Sequence, residues 1–469
     1  MKVSFYTLGC KVNQYETQML RERFAQAGYE TVGEDDPADI YIINTCTVTN
    51  LSDRKSRQRI RRVKKQNENA VIVVTGCYAQ TDAKAVAKIP GVSVIAGTNE
   101  KSHIVEFVEE YMQMHKNERE EYSGKDCAKD PDLSAGPDIH VLSYEALRDY
   151  EETGSITSMD SRTRAYIKIQ EGCDRFCSYC IIPYARGRVR SRDIREIVKE
   201  AEGLIQAGFK EIVLTGINTA LYGRDFSEKI DGLSGVEIAV AAISRIEGEF
   251  RIRLSSLEPN VIDEETALRL TKYPRLCPHM HLSLQSGSDT VLKRMNRRYD
   301  VQTYRRITDV FKEYDPNFAV TTDIIVGFPG ESEKEFEESL AAIQKIGFSK
   351  VHAFKYSRRS GTKAAEMPDQ IDGRVKARRI DRMLRVSEKI AEEFFLKNTG
   401  TVRKVLFEKY DPRTSMLIGF TDNYIHTYCR AEENEAERYL NRFADVRLGE
   451  LYEDGLAGVL TERLQEAEA

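Results

Sequence analysis

Cys173, Cys177 and Cys180, in the run EGCDRFCSYCIIPY, place three thiols on one short loop, so all three must point into one small volume. Nine cysteines in 469 residues would give this CxxxCxxC spacing by chance roughly 0.003 times. Three cysteine thiolates can hold three irons of a four-iron cluster and leave the fourth iron open to another molecule, whereas closed clusters and structural zinc sites take four protein ligands. Phe176 and Tyr179 add aromatic edges beside that open position. The alternative is a zinc knuckle completed by His279 or His281. No second CxxC and no paired histidines stand at zinc-like spacing to support it.

A second set of three thiols is dispersed. Cys10, Cys46 and Cys77 each follow an apolar run: VSFYTL at 3–8, DIYIINT at 39–45 and AVIVVTG at 70–76. They stand 36 and 31 residues apart, each about one strand, helix and return loop. If the strands are parallel, their carboxyl ends share one edge of the sheet, where open α/β sheets build their sites. The three cysteines can then converge, again as three ligands and not four. The competing reading is three unrelated buried cysteines, since a free cysteine packs as a small hydrophobe. Against it, each thiol comes just after a strand, twice as LGC or TGC.

The elements that position these residues divide the chain into an α/β N-terminal domain at 1–115 with an open parallel sheet, a linker at 116–162 and two further domains. A helix is expected from about Tyr15 to Ala27. The linker run KNEREEYSGKDCAKDPDLSAGPD is charged and turn-rich, and its Cys127 is given no role. From 163 to 398 six apolar runs alternate with helical stretches, starting at AYIKIQ and ending at KVHAFKYS. Six such units predict a partial (β/α)6 barrel, whose chemistry collects at the carboxyl ends of its strands. Those ends carry Cys173, Asn218, Ser255, Ser256, Glu258, Gln285, Ser286, Asp323 and Tyr356, polar residues that suit a bound small molecule. Residues 399–469 read as short strands and turns, a small all-β barrel. There Tyr410, Phe420, Tyr424, His426 and Tyr428, interleaved with Arg403, Lys404 and Arg430, could stack on bases and meet phosphates, with about half of the aromatics going to the core.

Composition sets the outer bounds. Hydrophobic content of 41% and charged content of 31% are those of a globular chain, and the net charge of −5 does not by itself announce nucleic acid. No apolar run of membrane-spanning length and no signal-peptide core is present, which predicts a cytoplasmic protein with reduced thiols. Local charge is different. DRKSRQRIRRVKKQ at 53–66, RGRVRSR at 186–192 and RVKARRIDRMLR at 374–385 are strongly basic, and two of them adjoin cysteine loops. They point to an anionic macromolecule near the thiols; about five phosphate contacts would give a log–log salt slope near −3.5 for single strands.

Cys10, Cys46 and Cys77 in GCKVN, NTC and TGC contexts, with EGCDRFCSYCIIPYARGRVRSR, SLQSGSD, DIIVGFPGE and the terminal GFTDNY, make the chain resemble the radical S-adenosylmethionine methylthiotransferases. The resemblance spans essentially the whole length, in the order N-terminal methylthiotransferase domain, radical SAM barrel and TRAM-like RNA-binding barrel. The GCKVN form most resembles the tRNA subgroup that acts on threonylcarbamoyladenosine beside the anticodon. The resemblance implies two 4Fe-4S clusters. Cys173, Cys177 and Cys180 would hold the radical cluster, whose open iron chelates the amino and carboxylate groups of S-adenosylmethionine. One electron then cleaves the sulfonium to methionine and a 5′-deoxyadenosyl radical, which removes hydrogen from C2 of the adenine. Cys10, Cys46 and Cys77 would hold the auxiliary cluster that carries the sulfur, methylated by a second S-adenosylmethionine before transfer. Asn218, Ser256, Gln285 and Asp323 are the candidates for contacting S-adenosylmethionine. The implied partners are the tRNA anticodon stem-loop, an electron donor such as flavodoxin or ferredoxin, and a sulfur donor the sequence does not identify; no membrane is involved. The other readings are methylthiolation of a protein side chain and a non-catalytic RNA-binding iron-sulfur redox sensor.

Overall fold

β-branched runs with no polar alternation predict strands covered on both faces, and the first sheet is built from them. The structure, a computed structural model, describes residues 1–122, 136–159, 163–233 and 235–461, so Cys127 lies outside the described residues. The chain packs as two compact units. One comprises Met1–Ile156, Gln170–Arg192 and Ser357–Thr362, and the other Thr157–Ile169, Asp193–Tyr356 and Lys363–Ala469.

In the first unit, strands β1 (Lys2–Thr7), β2 (Glu30–Val32), β3 (Ile40–Thr45), β4 (Val71–Gly76), β5 (Val94–Ala96) and β6 (Asp138–His140) form one parallel sheet in the order β2-β1-β3-β4-β5-β6. Every residue of β3 and β4 is buried. Helix α1 (Lys11–Gln26) buries Val12, Tyr15, Met19, Leu20 and Phe24, with Phe24 edge-on to Phe5 at 5.8 Å. Helix α2 (Asn50–Gln66) sets Ile60 and Val63 against Tyr41, Ile43, Ile72 and Val74. Cys10 is the N-cap of α1, and the helix begins at Lys11, four residues ahead of the expected start at Tyr15. Val12 already falls on the buried face, and the first turn is needed for the hydrogen bonds of Asn13 described below. Strand β6 arises inside the stretch read as linker and pairs with β5.

Strand β7 (Arg164–Glu171) passes from one unit to the other, and its Gln170 and Glu171 pair antiparallel with β8 (Arg190–Ser191). In the second unit, β9 (Glu211–Gly216) and β10 (Arg251–Leu254) pair in parallel, as do β11 (His279–His281), β12 (Ala319–Val326) and β13 (Lys350–Lys355). Parallel bridges Ile252↔Leu276 and Leu257↔Leu282 join the two sets. With β7 these make the six strands of the expected partial barrel.

The carboxyl-terminal strands β14 (Val402–Asp411), β15 (Met416–Thr421), β16 (His426–Arg430), β17 (Phe443–Tyr452) and β18 (Gly455–Leu460) close into a barrel in the order β14-β15-β16-β18-β17. Its core holds Val405, Phe407, Leu417, Val446, Leu456 and Cys429, which packs there as a small hydrophobe. This barrel contacts the amino ends of β7, β9 and β10. Glu211, fully buried, accepts from Arg164 at 2.6 Å, Arg251 at 2.6 Å and Arg253 at 3.0 Å. Arg164 also reaches Glu408 at 2.8 Å, and Arg253 lies 4.4 Å over the Tyr424 ring. The amino ends of barrel strands are the stability face, which leaves the carboxyl ends for chemistry.

Candidate active site

Register brings the dispersed cysteines together. Thr7 pairs with Asn44, and Asn44 pairs with Thr75, so the ends of β1, β3 and β4 lie level. Neighbouring strands are about 4.8 Å apart, and Cys10, Cys46 and Cys77 each follow within three residues of that line. Two glycines let the backbone turn there. Gly9 has φ +108°, and a Cβ on it would meet Cys46 Sγ at 3.0 Å; Gly76 has φ +91°, and its Cβ would stand 2.4 Å from the Thr45 carbonyl. Only glycine tolerates both the conformation and the contact. The LGC and TGC forms seen in the sequence are therefore geometric requirements for placing the thiols.

The polar residues of GCKVN and NTC serve the same end. Asn13 Nδ2 donates to the Leu8 carbonyl at 2.6 Å and the Thr45 carbonyl at 3.0 Å, tying the Cys10 loop to the Cys46 loop. Asn44 Nδ2 donates to the Asn13 carbonyl at 3.1 Å and Thr17 Oγ1 at 3.2 Å. Helix α3 (Cys77–Thr81) begins on Cys77 itself. Past α4 (Ala83–Ala87) and α5 (Ile104–Tyr122), helix α6 (Ile182–Arg186) brings Arg186 back to this edge, where its Nε donates to Cys77 Sγ at 3.2 Å. Burial pushes the Cys46 thiol up to about 11, and the charge of the nearby Cys77 and Cys10 adds to it.

Cys173, Cys177 and Cys180 are half-buried. The Cys173 amide donates to the Gly187 carbonyl at 3.0 Å and the Cys180 amide to the Cys177 carbonyl at 2.9 Å, which folds the loop back on itself. Phe176 has φ +46° and lies edge-on to Tyr184 at 5.8 Å. All eight cysteines of the described residues are thiols. Among the described residues, no three His, Cys, Asp or Glu side chains meet closely enough to hold a single metal ion. A lone zinc ion needs its thiolates about 2.3 Å from the metal, whereas a four-iron cluster takes ligands at the corners of a larger cube. Three neighbouring thiols at one sheet edge fit the cluster. His279 and His281 hydrogen-bond to side chains of β12. His279 Nε2 bonds to Thr321 Oγ1 at 3.2 Å, and His281 uses one ring nitrogen on Thr321 at 2.9 Å and the other on Asp323 at 3.1 Å.

The polar strand-end residues fall in the second unit. Asn218 Nδ2 donates to Glu258 at 2.8 Å, and Arg297 holds the other oxygen of Glu258 at 2.9 Å. Burial alone would push the Asp323 carboxyl up; hydrogen bonds from His281 and Ser283 outweigh it and hold the group below its usual range. Gln285 has φ +69° and pairs with Ile324 of β12. Ser256 is exposed, and its carbonyl accepts from Thr219 Oγ1 at 2.8 Å.

Burial decides which of the expected phosphate- and base-binding groups remain available. In RGRVRSR, Arg186, Arg190 and Arg192 are buried, and Arg192 is paired with Glu152 at 2.8 Å. Arg186 and Arg192 are held by carboxylates and Arg190 donates to the Arg186 carbonyl at 2.7 Å, so these buried groups cannot meet RNA; Arg188 alone of the four is exposed. In the terminal barrel, Tyr424 packs under Arg253 and against His279, and Arg403 is paired with Asp315 at 3.0 Å. The residues the sequence did not reveal are Glu16, Glu171 and Lys101, which with Arg186 form a buried charge network. One signal was available: Glu16 lies four residues after Val12 and four before Leu20, on the apolar face of α1.

Residues 167–343 match the model of the Radical SAM superfamily, and residues 2–97 match Uncharacterized protein family UPF0004. This defines an enzyme of the radical S-adenosylmethionine class, for which a 4Fe-4S cluster and S-adenosylmethionine are the implied cofactors. The chain is 41% identical to "Threonylcarbamoyladenosine tRNA methylthiotransferase MtaB" of Bacillus subtilis over 92% of this chain and 91% of that one. It is 35% identical to the protein of the same name from Thermotoga maritima, over 97% and 96%. The chain belongs to this family of methylthiotransferases. The radical S-adenosylmethionine methyltransferase TsrM of Kitasatospora setae shares the fold, with a TM-score of 0.54 at 14% identity over 75% of this chain and 72% of that one. No helix of the described residues is long and apolar enough to cross a membrane.

Proposed function

We propose that the chain adds a methylthio group to C2 of N6-threonylcarbamoyladenosine adjacent to the tRNA anticodon. The observation that carries this reading is the 41% identity to a threonylcarbamoyladenosine tRNA methylthiotransferase over nine tenths of both chains. Two separate triads of cysteine, each one ligand short of a closed site, support it.

When bound, two 4Fe-4S clusters and two S-adenosylmethionine molecules per turnover would supply a carbon-centred radical that takes hydrogen from C2, and a sulfur that is methylated and transferred. Cys173, Cys177 and Cys180 hold the first cluster, and Cys10, Cys46 and Cys77 the second. The protein's part is placement and electrostatics. Asn218, Ser256, Gln285 and Asp323 orient S-adenosylmethionine, with Glu258 and His281 fixing the amide and the carboxylate that face it. The basic residues left exposed on α2, Arg54, Lys55, Arg61 and Lys65, together with Lys404 and Arg430 on the terminal barrel, meet the phosphates of the anticodon stem-loop. In this reading 1–115 carries the sulfur, 163–398 generates the radical and 399–469 grips RNA, with 116–162 as the link. The enzyme works in the cytoplasm with flavodoxin or ferredoxin as reductant and a separate sulfur donor.

Mass spectrometry of tRNA nucleosides from cells lacking the chain tests the substrate. Loss of the methylthio form, with threonylcarbamoyladenosine retained, is expected. An unchanged profile would refute the RNA substrate, and loss of a different methylthio nucleoside would refute the choice of base.

A further inference from the structure

Arg186 is fully buried, and its guanidinium sits in a cage of polar side chains. Nη1 donates to Glu16 at 2.5 Å and to Glu171 at 3.1 Å, and Nη2 donates to Asn13 Oδ1 at 2.7 Å. Lys101, also buried, pairs with Glu16 at 3.2 Å. Two cations and two carboxylates balance, the condition under which buried charges persist. Neutrality does not dictate where Nε points, yet it points at Cys77 Sγ, 3.2 Å away.

The origin of this donor matters. Arg186 ends the short helix α6, which begins two residues beyond Cys180, and the carbonyl of the next residue, Gly187, accepts from the Cys173 amide. The loop that carries one cysteine triad thus supplies the hydrogen bond to a thiol of the other. Asn13, which pins the Cys10 and Cys46 loops, is held by the same guanidinium. Groups behind a metal's direct ligands fix their direction, and hydrogen bonds to ligand sulfur are among the factors that set a cluster's potential.

We propose that Arg186 is a positioning residue of the auxiliary cluster, aiming Cys77 and raising the cluster's reduction potential through its Nε–H···Sγ bond. The proposal rests on the reading that Cys10, Cys46 and Cys77 hold a cluster. A hydrogen-bond donor on the ligand sulfur stabilises the reduced, more negative cluster, which fixes the sign of the effect.

The test uses the full chain with Cys173, Cys177 and Cys180 all changed to Ala, reconstituted anaerobically so that only the auxiliary cluster remains. Iron near zero in this parent would overturn the two-cluster reading, and the proposal with it. With iron bound, R186Q alone would strand two buried carboxylates, so the comparison is R186Q/E171Q, which keeps net charge and leaves the Lys101–Glu16 pair intact. An EPR-monitored redox titration should show its potential shifted to more negative values than the parent; an equal potential overturns the proposal alone. Pulsed EPR of the reduced parent labelled with 15N-arginine requires no change at position 186. A nitrogen coupling to the cluster is expected, and its absence overturns the proposal even where the double variant does not fold.

Discussion

A methyl group on Gly9 would stand 2.8 Å from Cβ of Cys46, which joins two of the three strand-end thiols through one residue that cannot carry a side chain. Gly9→Ala is therefore expected to disturb the auxiliary site selectively. Reconstituted iron should fall from about eight per chain toward about four, while S-adenosylmethionine cleavage persists. Iron analysis alongside a cleavage assay checks both halves.

Glu211 holds three guanidiniums together beneath the barrel, and Arg164 and Arg253 in turn contact Glu408 and Tyr424 of the terminal domain. Breaking a buried ion network by removing one partner costs about 3–5 kcal/mol. Glu211→Gln should lower the unfolding free energy by that order, read as a lower denaturant midpoint, and release the terminal barrel to protease earlier than in the parent.

Glu100 gives a pH-dependent stability. Burial pushes its carboxyl up to about 7, Glu151 adds to the rise and Lys101 offsets part of it. The folded chain keeps a proton that the unfolded chain releases near pH 4.5. The contribution is thus complete below 4.5 and is lost as pH rises through 7. Glu100→Gln should be more stable than the parent at pH 8, by up to about 3 kcal/mol, with the gain shrinking toward pH 5 in urea unfolding curves.

On α2 the burial pattern separates RNA contacts from internal ones. Arg59 is buried against Asp35 at 2.8 Å, whereas Arg61 and Lys65 are exposed. Replacing Arg61 or Lys65 by Ala should each flatten the log–log salt dependence of tRNA binding by about 1. Arg59→Ala should leave the slope unchanged and reduce thermal stability.

Much of the fold was legible because parallel strands buried on both faces read as unbroken apolar runs, as in IYIINT and VIVVTG, and because the intervals between the cysteines match a β/α unit. The level strand ends that gather Cys10, Cys46 and Cys77 follow from that alternation. The fate of RGRVRSR was not legible. Whether Arg186 meets a phosphate or Glu16 depends on a carboxylate 170 residues away in the chain, and local sequence carries no record of such a partner. The packing of Tyr424 beneath Arg253 was hidden for the same reason.

If the two cysteine triads do different jobs in one turnover, the Cys46→Ala variant separates them. Reconstituted anaerobically and given reductant, S-adenosylmethionine and unmodified tRNA, it should still form 5′-deoxyadenosine and yield no methylthio nucleoside, while Cys173→Ala forms neither. Methylthio product from Cys46→Ala would refute a separate role for the triad of Cys10, Cys46 and Cys77.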